Sequence, residues 1–291
     1  GWAHIGVIRA LHEAGIEPDI VCGASIGALV GAAYTSGTLD KLEAWVRDLA
    51  WWDIVRVMDP TLAGGGVLQG EHLMKVFEDY FGTRTIEQLP RSYAAVATNL
   101  RTGQEIWYRH GSLINAVRAS IALPGLFTPV QDDGHLLVDG GLVNPVPVSL
   151  ARSLGADFVI AVNLNGDIIG RHLQANQAVS DERELTDGVQ WKMFLQRLNS
   201  GLRESSLGQL VAKKEAPGPG LFDVLASSIN IMQDRITRSR LAGDPPEISL
   251  TPRLAHLGLL EFDRAEEAID EGRRTVERML PAIRDVLGPA A

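Results

Sequence analysis

The sequence predicts a three-layer α/β/α fold around a mostly parallel central sheet. Three observations predict it. Short apolar runs that read as buried strands alternate with amphipathic helical stretches, the pattern of a sheet covered on both faces. One such run, Pro18 to Cys22, feeds straight into Gly23-Ala24-Ser25-Ile26-Gly27 and then into a small-residue helix from Ala28 to Tyr34. Another, His135-Leu136-Leu137-Val138-Asp139, ends on an acid and is broken by Gly140-Gly141. With 291 residues, 45% of them hydrophobic and 22% charged, the chain can bury one large core or two smaller ones.

The elements follow in order. Residues 3–14 read as a helix closed by Gly15. The chain opens at Gly1 already close to that helix, so a first strand is expected upstream. Residues 39–51 place Leu39, Leu42, Trp45, Val46 and Leu49 on one helical face. Gly64-Gly65-Gly66 marks a loop, and residues 71–81 form a short helix with Leu73, Val76, Phe77 and Tyr80 as its stripe. Tyr93 to Leu100 is a buried strand, which Thr102-Gly103 turns into the hairpin partner Glu105-Ile106-Trp107-Tyr108. A helix over 112–121 stops before Pro124, another covers 147–154, and Phe158 to Asn163 is a buried strand. Residues 164–182 are polar and without period, and read as a mobile surface excursion. Residues 184–202 suit an amphipathic helix, Ala216-Pro217-Gly218-Pro219-Gly220 breaks the chain, and 221–241 is a helix striped with Phe222, Leu225, Ile229, Met232 and Ile236. Glu247 to Leu250 reads as a strand returning to the sheet, and 263–286 as a charged terminal helix. This divides the chain into a core at 1–163, a variable insertion at 164–220 and a C-terminal part at 221–291 that packs back on the core.

Composition narrows the function. A net charge of −9 argues against a nucleic-acid binder. No run of 18 apolar residues occurs, so a spanning helix is not expected and the expectation is a cytoplasmic protein. The lone Cys22 excludes an internal disulfide and suits a small buried residue. The seven histidines show no paired metal spacing, and no metal or organic cofactor is indicated.

The chemistry points to Ser25. A strand-to-helix turn in which Gly23 and Gly27 make room forces unusual backbone angles on the serine and lifts its hydroxyl to a helix N-terminus, the arrangement of a nucleophile elbow. The five-residue pattern alone is weak in a chain with 30 glycines; the strand before it and the helix after it carry the reading. A serine needs a base, and Asp139, at the carboxyl end of its own strand, is the candidate. A turn-capping aspartate before Gly-Gly explains the same position.

Gly23-Ala24-Ser25-Ile26-Gly27 taken with Val138-Asp139-Gly140-Gly141-Leu142-Val143-Asn144-Pro145-Val146-Pro147 resembles the patatin-like phospholipase family, in its bacterial branch related to neuropathy target esterase. Gly1 to Val7, Ala119 to Phe127 and Gly258 to Phe262 fit the same family. The likeness covers residues 1–163 well and 221–291 loosely. It implies a Ser–Asp dyad of Ser25 and Asp139 with no catalytic histidine, and a glycine-rich oxyanion loop before the first helix, of which Gly1 alone is in this sequence. Ala24, Ile26, Gly140 and Gly141 support the two motifs. It implies a phospholipid or lysophospholipid substrate cleaved through an acyl-serine. Alternatives are a general carboxylesterase, a Ser–His–Asp hydrolase using His256, and a lipid-binding module without turnover.

Other residues carry plainer roles. His4 suits packing or capping near the elbow, Asn99 either a pocket wall or the turn before Thr102-Gly103, and Ser120 a cap near Pro124. His12, His72, His110, His135 and His172 are scattered. Trp45 suits the core. Trp51-Trp52, and Lys192, Arg197 and Arg203 beside leucines, suggest peripheral membrane contact; a packing helix or a homodimer contact fits the second stretch equally.

Overall fold

The computed structural model of the chain describes residues 1–49, 66–68, 71–167, 221–258 and 261–288. The readings on Gly64-Gly65, Trp51-Trp52, His172, most of 164–182 and all of 184–202 lie outside the described residues. So do those on the 216–220 breaker and on the side chains of His72, Leu73 and Phe222.

The elements appear in the predicted order. They are α1 (Ala3–Glu13), β1 (Ile20–Ala24), α2 (Ile26–Thr35), α3 (Leu39–Asp48), β2 (Gly66–Leu68), α4 (Glu71–Phe81), β3 (Ser92–Asn99), β4 (Glu105–Tyr108) and α5 (Leu113–Ser120). There follow β5 (Gly125–Phe127), β6 (Val130–Asp132), β7 (His135–Asp139), a one-turn 3-10 helix (Gly140–Leu142), α6 (Val148–Ser153), β8 (Ile160–Val162), α7 (Leu221–Gly243), β9 (Ile248–Leu250) and α8 (Ala265–Leu287). The strands β2, β5 and β6, three residues each, carry too little period to be read from sequence.

β3 is the spine, and the period-2 rule sorts its side chains into two cores. Tyr93 and Ala95 face a large cluster built from α1 to α5 and α8, in which Leu29, Leu42, Phe77, Leu113 and Ile269 are sealed from solvent. Ala94 and Val96 face the opposite way, onto Leu150 of α6 and Ala24. Helices therefore cover both faces, and the three-layer α/β/α reading holds.

The strand directions are more mixed than a parallel sheet suggests. β1 runs parallel to β3, β2 to β5 and β8 to β9. β4, β7 and β6 are antiparallel to their neighbours. Tight turns force two of these: Thr102-Gly103, with Gly103 at φ 70°, and Asp133-Gly134, both residues at positive φ. The parallel pairs, by contrast, need long crossover connections, and these contain helices.

One register matters for the site. β4 pairs with Ala95–Thr98 along one edge of β3. β1 pairs with residues up to Val96, and β7 with Ala97 to Asn99, so both must use the other edge. β1 runs with β3 and β7 runs against it. Their carboxyl ends therefore meet head to head, Ala24 opposite Val96 and Asp139 opposite Ala97.

The N-terminal and C-terminal helices close against each other through glycines. A Cβ at Gly6 would lie 1.8 Å from the Ile269 carbonyl oxygen, and one at Gly272 would lie 2.0 Å from that of Ala3. α1 and α8 thus touch backbone to backbone.

Candidate active site

Ser25 is the residue that turns β1 into α2. Its backbone sits at φ 55° and ψ −132°, a region that costs a non-glycine residue on the order of 1–3 kcal/mol. The turn is tight enough that a Cβ at Gly23 would come within 2.5 Å of the Ala28 nitrogen. A Cβ at Gly27 would press on His4 Nε2 at 3.4 Å, and one at Gly1 would overlap the Ile26 side chain at 2.4 Å. All three glycines singled out in the sequence thus lie where backbone or side chains crowd the elbow. Ala24 and Ile26 flank the serine, Ala24 buried in the core beneath it.

Asp139 arrives from the other direction. Its carboxylate is wholly buried, and Oδ2 accepts a hydrogen bond from Ser25 Oγ at 2.6 Å. Oδ1 accepts the Gly141 N–H at 2.7 Å. The main chain is held too: Thr98 Oγ1 donates to the Asp139 carbonyl at 2.8 Å, and the Asp139 N–H donates to the Ala122 carbonyl at 2.9 Å. Past Asp139 the sheet edge is already filled by the end of β1, so the chain must leave. Gly140 allows the exit, since a Cβ there would lie 2.0 Å from the Val96 carbonyl oxygen. The turn-capping role of Asp139 and its bond to Ser25 therefore coexist, one on each carboxylate oxygen.

The exit loop is fixed from below. Asn144, buried, donates to Glu105 at 2.7 Å, and Arg240 of α7 donates to the other oxygen of the same carboxylate at 2.8 Å. Ser120 supplies a support that sequence reading missed. Its buried hydroxyl, at the end of α5, accepts the Ser25 N–H at 3.0 Å. A contact across ninety-five residues leaves no local pattern, and only the family likeness of Ala119 to Phe127 hinted that this segment belongs with the site.

Burial raises the Asp139 carboxyl from 3.8 to about 6, against the opposing pull of the Ser25 hydroxyl and the Gly141 N–H. Burial pushes the His4 imidazole down to about 4. His4 is thus neutral near pH 7, with Nδ1 2.7 Å from the Gly1 carbonyl oxygen, a bond that assigns the proton to that nitrogen. The Cys22 thiol, also desolvated, is driven up to about 12 and remains protonated.

The other candidates fall elsewhere. His256 pairs with Glu267 at 2.7 Å on the surface and makes no hydrogen bond to Ser25 or Asp139. Asn99 belongs to the hairpin turn: its Oδ1 accepts the N–H of Arg101 at 3.0 Å and of Thr102 at 3.3 Å, while Nδ2 meets His135. His12 lies by Glu17 and His110 by Glu87. Trp45 packs edge-on against Phe77 at 5.8 Å, in the core as expected.

A cavity of about 700 Å³ opens past Ser25. Trp45, Phe77, Ile121, Leu126 and Phe127 are among its apolar lining, and Asn165, Asn230 and Gln233 among its polar lining. Gln233 stands directly over the Asp139 loop, its Nε2 2.5 Å from where a Gly141 Cβ would be, and its Oε1 accepts from Asn165 at 3.0 Å. The first-turn N–H groups of Ile26 and Gly27 have no intrahelical acceptor, as at any helix start. Together these parts can activate a hydroxyl, hold a carbonyl beside it and seat an acyl chain.

A family model described as patatin-like phospholipase matches residues 1–152. An uncharacterized NTE family protein of Mycobacterium tuberculosis is 35% identical over 97% of this chain and 88% of its own length. A patatin-like phospholipase domain-containing protein of Caenorhabditis elegans is 40% identical, over 56% of this chain and 13% of that protein. Neuropathy target esterase sws of Drosophila melanogaster is 36% identical, over 56% of this chain and 12% of that protein.

Proposed function

The chain belongs to the patatin-like phospholipase family, whose members are lipid acyl hydrolases, and from that premise we propose that it cleaves the carboxylic esters of phospholipids or lysophospholipids through a Ser25–Asp139 dyad. The observation that carries the reading is the 2.6 Å bond from the Ser25 hydroxyl to a buried carboxylate, made at a strained turn on a helix N-terminus.

In this reading Ser25 Oγ attacks the ester carbonyl carbon as its proton passes to Asp139 Oδ2. The new C–O bond leaves a tetrahedral oxyanion beside the N-terminus of α2, where the Ile26 N–H, next in chain to the nucleophile, is one donor. The family resemblance assigns the remaining donors to the glycine-rich loop to which Gly1 belongs. Collapse breaks the bond to the alcohol, which takes the proton from Asp139. Water then attacks the acyl-Ser25 ester, gives its proton to Asp139, and the fatty acid leaves as Ser25 regains the proton. A carboxyl at about 6 is a better base than an exposed aspartate and still ionised at neutral pH.

Labelling by a fluorophosphonate probe, followed by hydrolysis of lysophospholipid and short-chain esters, tests the reading. Ser25→Ala is expected to abolish labelling, and both Ser25→Ala and Asp139→Asn to lower turnover by at least about 10³-fold. His256→Ala is expected to leave turnover unchanged. A folded parent that neither labels nor turns over any acyl ester removes the hydrolase reading and leaves a lipid-binding module. Activity lost with His256 instead of Asp139 identifies a Ser–His–Asp enzyme.

A further inference from the structure

Helix α7 turns only part of its apolar surface inward, with Ile229, Ile236 and Leu241 half-buried. Its inner side carries Gln233, which meets Asn165 and the Asp139 loop, Arg240, which meets Glu105, the cavity-lining Asn230, and the buried Asp234 and Thr237. Its outer side carries Val224, Leu225, Ile231 and Met232, exposed to 47%, 44%, 53% and 50%. At 100° per residue these four, with Ser228, Arg235, Arg238 and Ser239, form one continuous face. Large apolar side chains gathered on one helix face and left in water mark a contact.

The charge on that face selects the partner. Between Val224 and Ala242 the helix holds three arginines and a single carboxylate, Asp234, which is buried. Arg240 is taken by Glu105 and Arg238 pairs with Asp234 at 2.7 Å, which leaves Arg235 as the exposed, unneutralised cation beside the apolar residues. An apolar face edged by Arg235, with no exposed carboxylate among its described side chains, matches an anionic lipid surface, where the apolar residues enter the acyl boundary and the arginine meets phosphate. Location agrees. The next positions around the same helix, Ile229 and Gln233, line the cavity that contains Ser25.

We infer that the outer face of α7 docks the protein on the surface of an anionic phospholipid bilayer and holds the cavity mouth against it. The inference rests on the hydrolase reading for its purpose but not for its test, because binding needs no turnover.

The test is co-sedimentation of the Ser25→Ala protein with vesicles of phosphatidylcholine, with and without phosphatidylglycerol. Binding is expected to need phosphatidylglycerol and to weaken with added salt. Ile231→Glu and Met232→Glu are each expected to weaken it by about tenfold or more, and Arg235→Gln by roughly fivefold. With Ser25 restored, Ile231→Glu is expected to keep the parent's rate on a soluble short-chain ester. Three results overturn the proposal. Undiminished binding by both glutamate variants shows that another surface makes the contact. A dimer split by Ile231→Glu in light scattering shows that a second copy covers the face. A thermal midpoint lowered by Ile231→Glu without vesicles shows that the face is covered within the molecule itself.

Discussion

The role of base that the proposed reaction assigns to Asp139 comes at some expense to the fold. Its carboxyl is raised to about 6 because burial disfavours the charged form. In the unfolded chain it titrates near 3.8. A raised folded value favours the native state fully below about pH 4 and progressively less as pH rises through 6. Two predictions follow at this scale. Turnover is expected to rise with pH on a single ionisation near 6, read from kcat/KM, and to level off above it. Asp139→Asn, while inactive, is expected to be more stable than the parent at pH 8, by up to about 3 kcal/mol, with the gain vanishing near pH 4. Paired thermal melts at the two pH values check this; a variant less stable at pH 8 shows that the Ser25 and Gly141 hydrogen bonds outweigh desolvation. The meeting of Ser25 and Asp139 could be anticipated in the sequence because each comes at the end of a strand-like run with glycine close by, a local signature. The part of Ser120 could not, because its work is done on a distant N–H.

The helices divide in the same way. α1, α2, α3 and α5 could be read because their apolar residues recur at helical spacing and their cores agree with that spacing. The stripe that spacing assigns to α7, Phe222, Leu225, Ile229, Met232 and Ile236, is split by the structure, which half-buries Ile229 and Ile236 and leaves Leu225 and Met232 in water. Polar partners set the split: Arg240 reaches Glu105, and Gln233 reaches Asn165. A period shows that a helix has an apolar face but not which way that face is turned. The union of α1 and α8 was also hidden, since it depends on two glycines 266 residues apart, Gly6 and Gly272, meeting carbonyls of the opposite helix. Gly272→Ala is expected to cost roughly 2–4 kcal/mol by forcing these backbones apart. Denaturant unfolding checks it; a loss under about 0.5 kcal/mol, the range of an ordinary surface change, means the helices slide without cost.

Across the whole molecule, the three-layer architecture was legible from the alternation of elements, while strand direction was not. Nothing in the residues of β7 states that it runs against β3. Among the described residues β1 pairs only with β3, and β8 pairs only with β9 in a two-stranded sheet of its own, so the expected return of Glu247 to Leu250 to the central sheet is not made and β1 and β8 each keep an open edge. The cavity that passes Ser25 is lined along both, by Ile20 to Ala24 and by Phe158 to Val162.

The head-to-head meeting of β1 and β7 makes β3 a ruler for the pair. Serine and aspartate are spaced by neighbouring rungs of one strand, whatever length of chain intervenes between them. Loops such as the Thr102-Gly103 and Asp133-Gly134 turns lie off that ruler, so residues gained or lost there leave the spacing intact. One residue added between Ile20 and Ser25, or between Leu137 and Asp139, shifts a rung and turns its side chain to the opposite face. Tolerance to insertion is therefore set by strand register, and the forbidden stretches amount to a few residues on either side of a single junction.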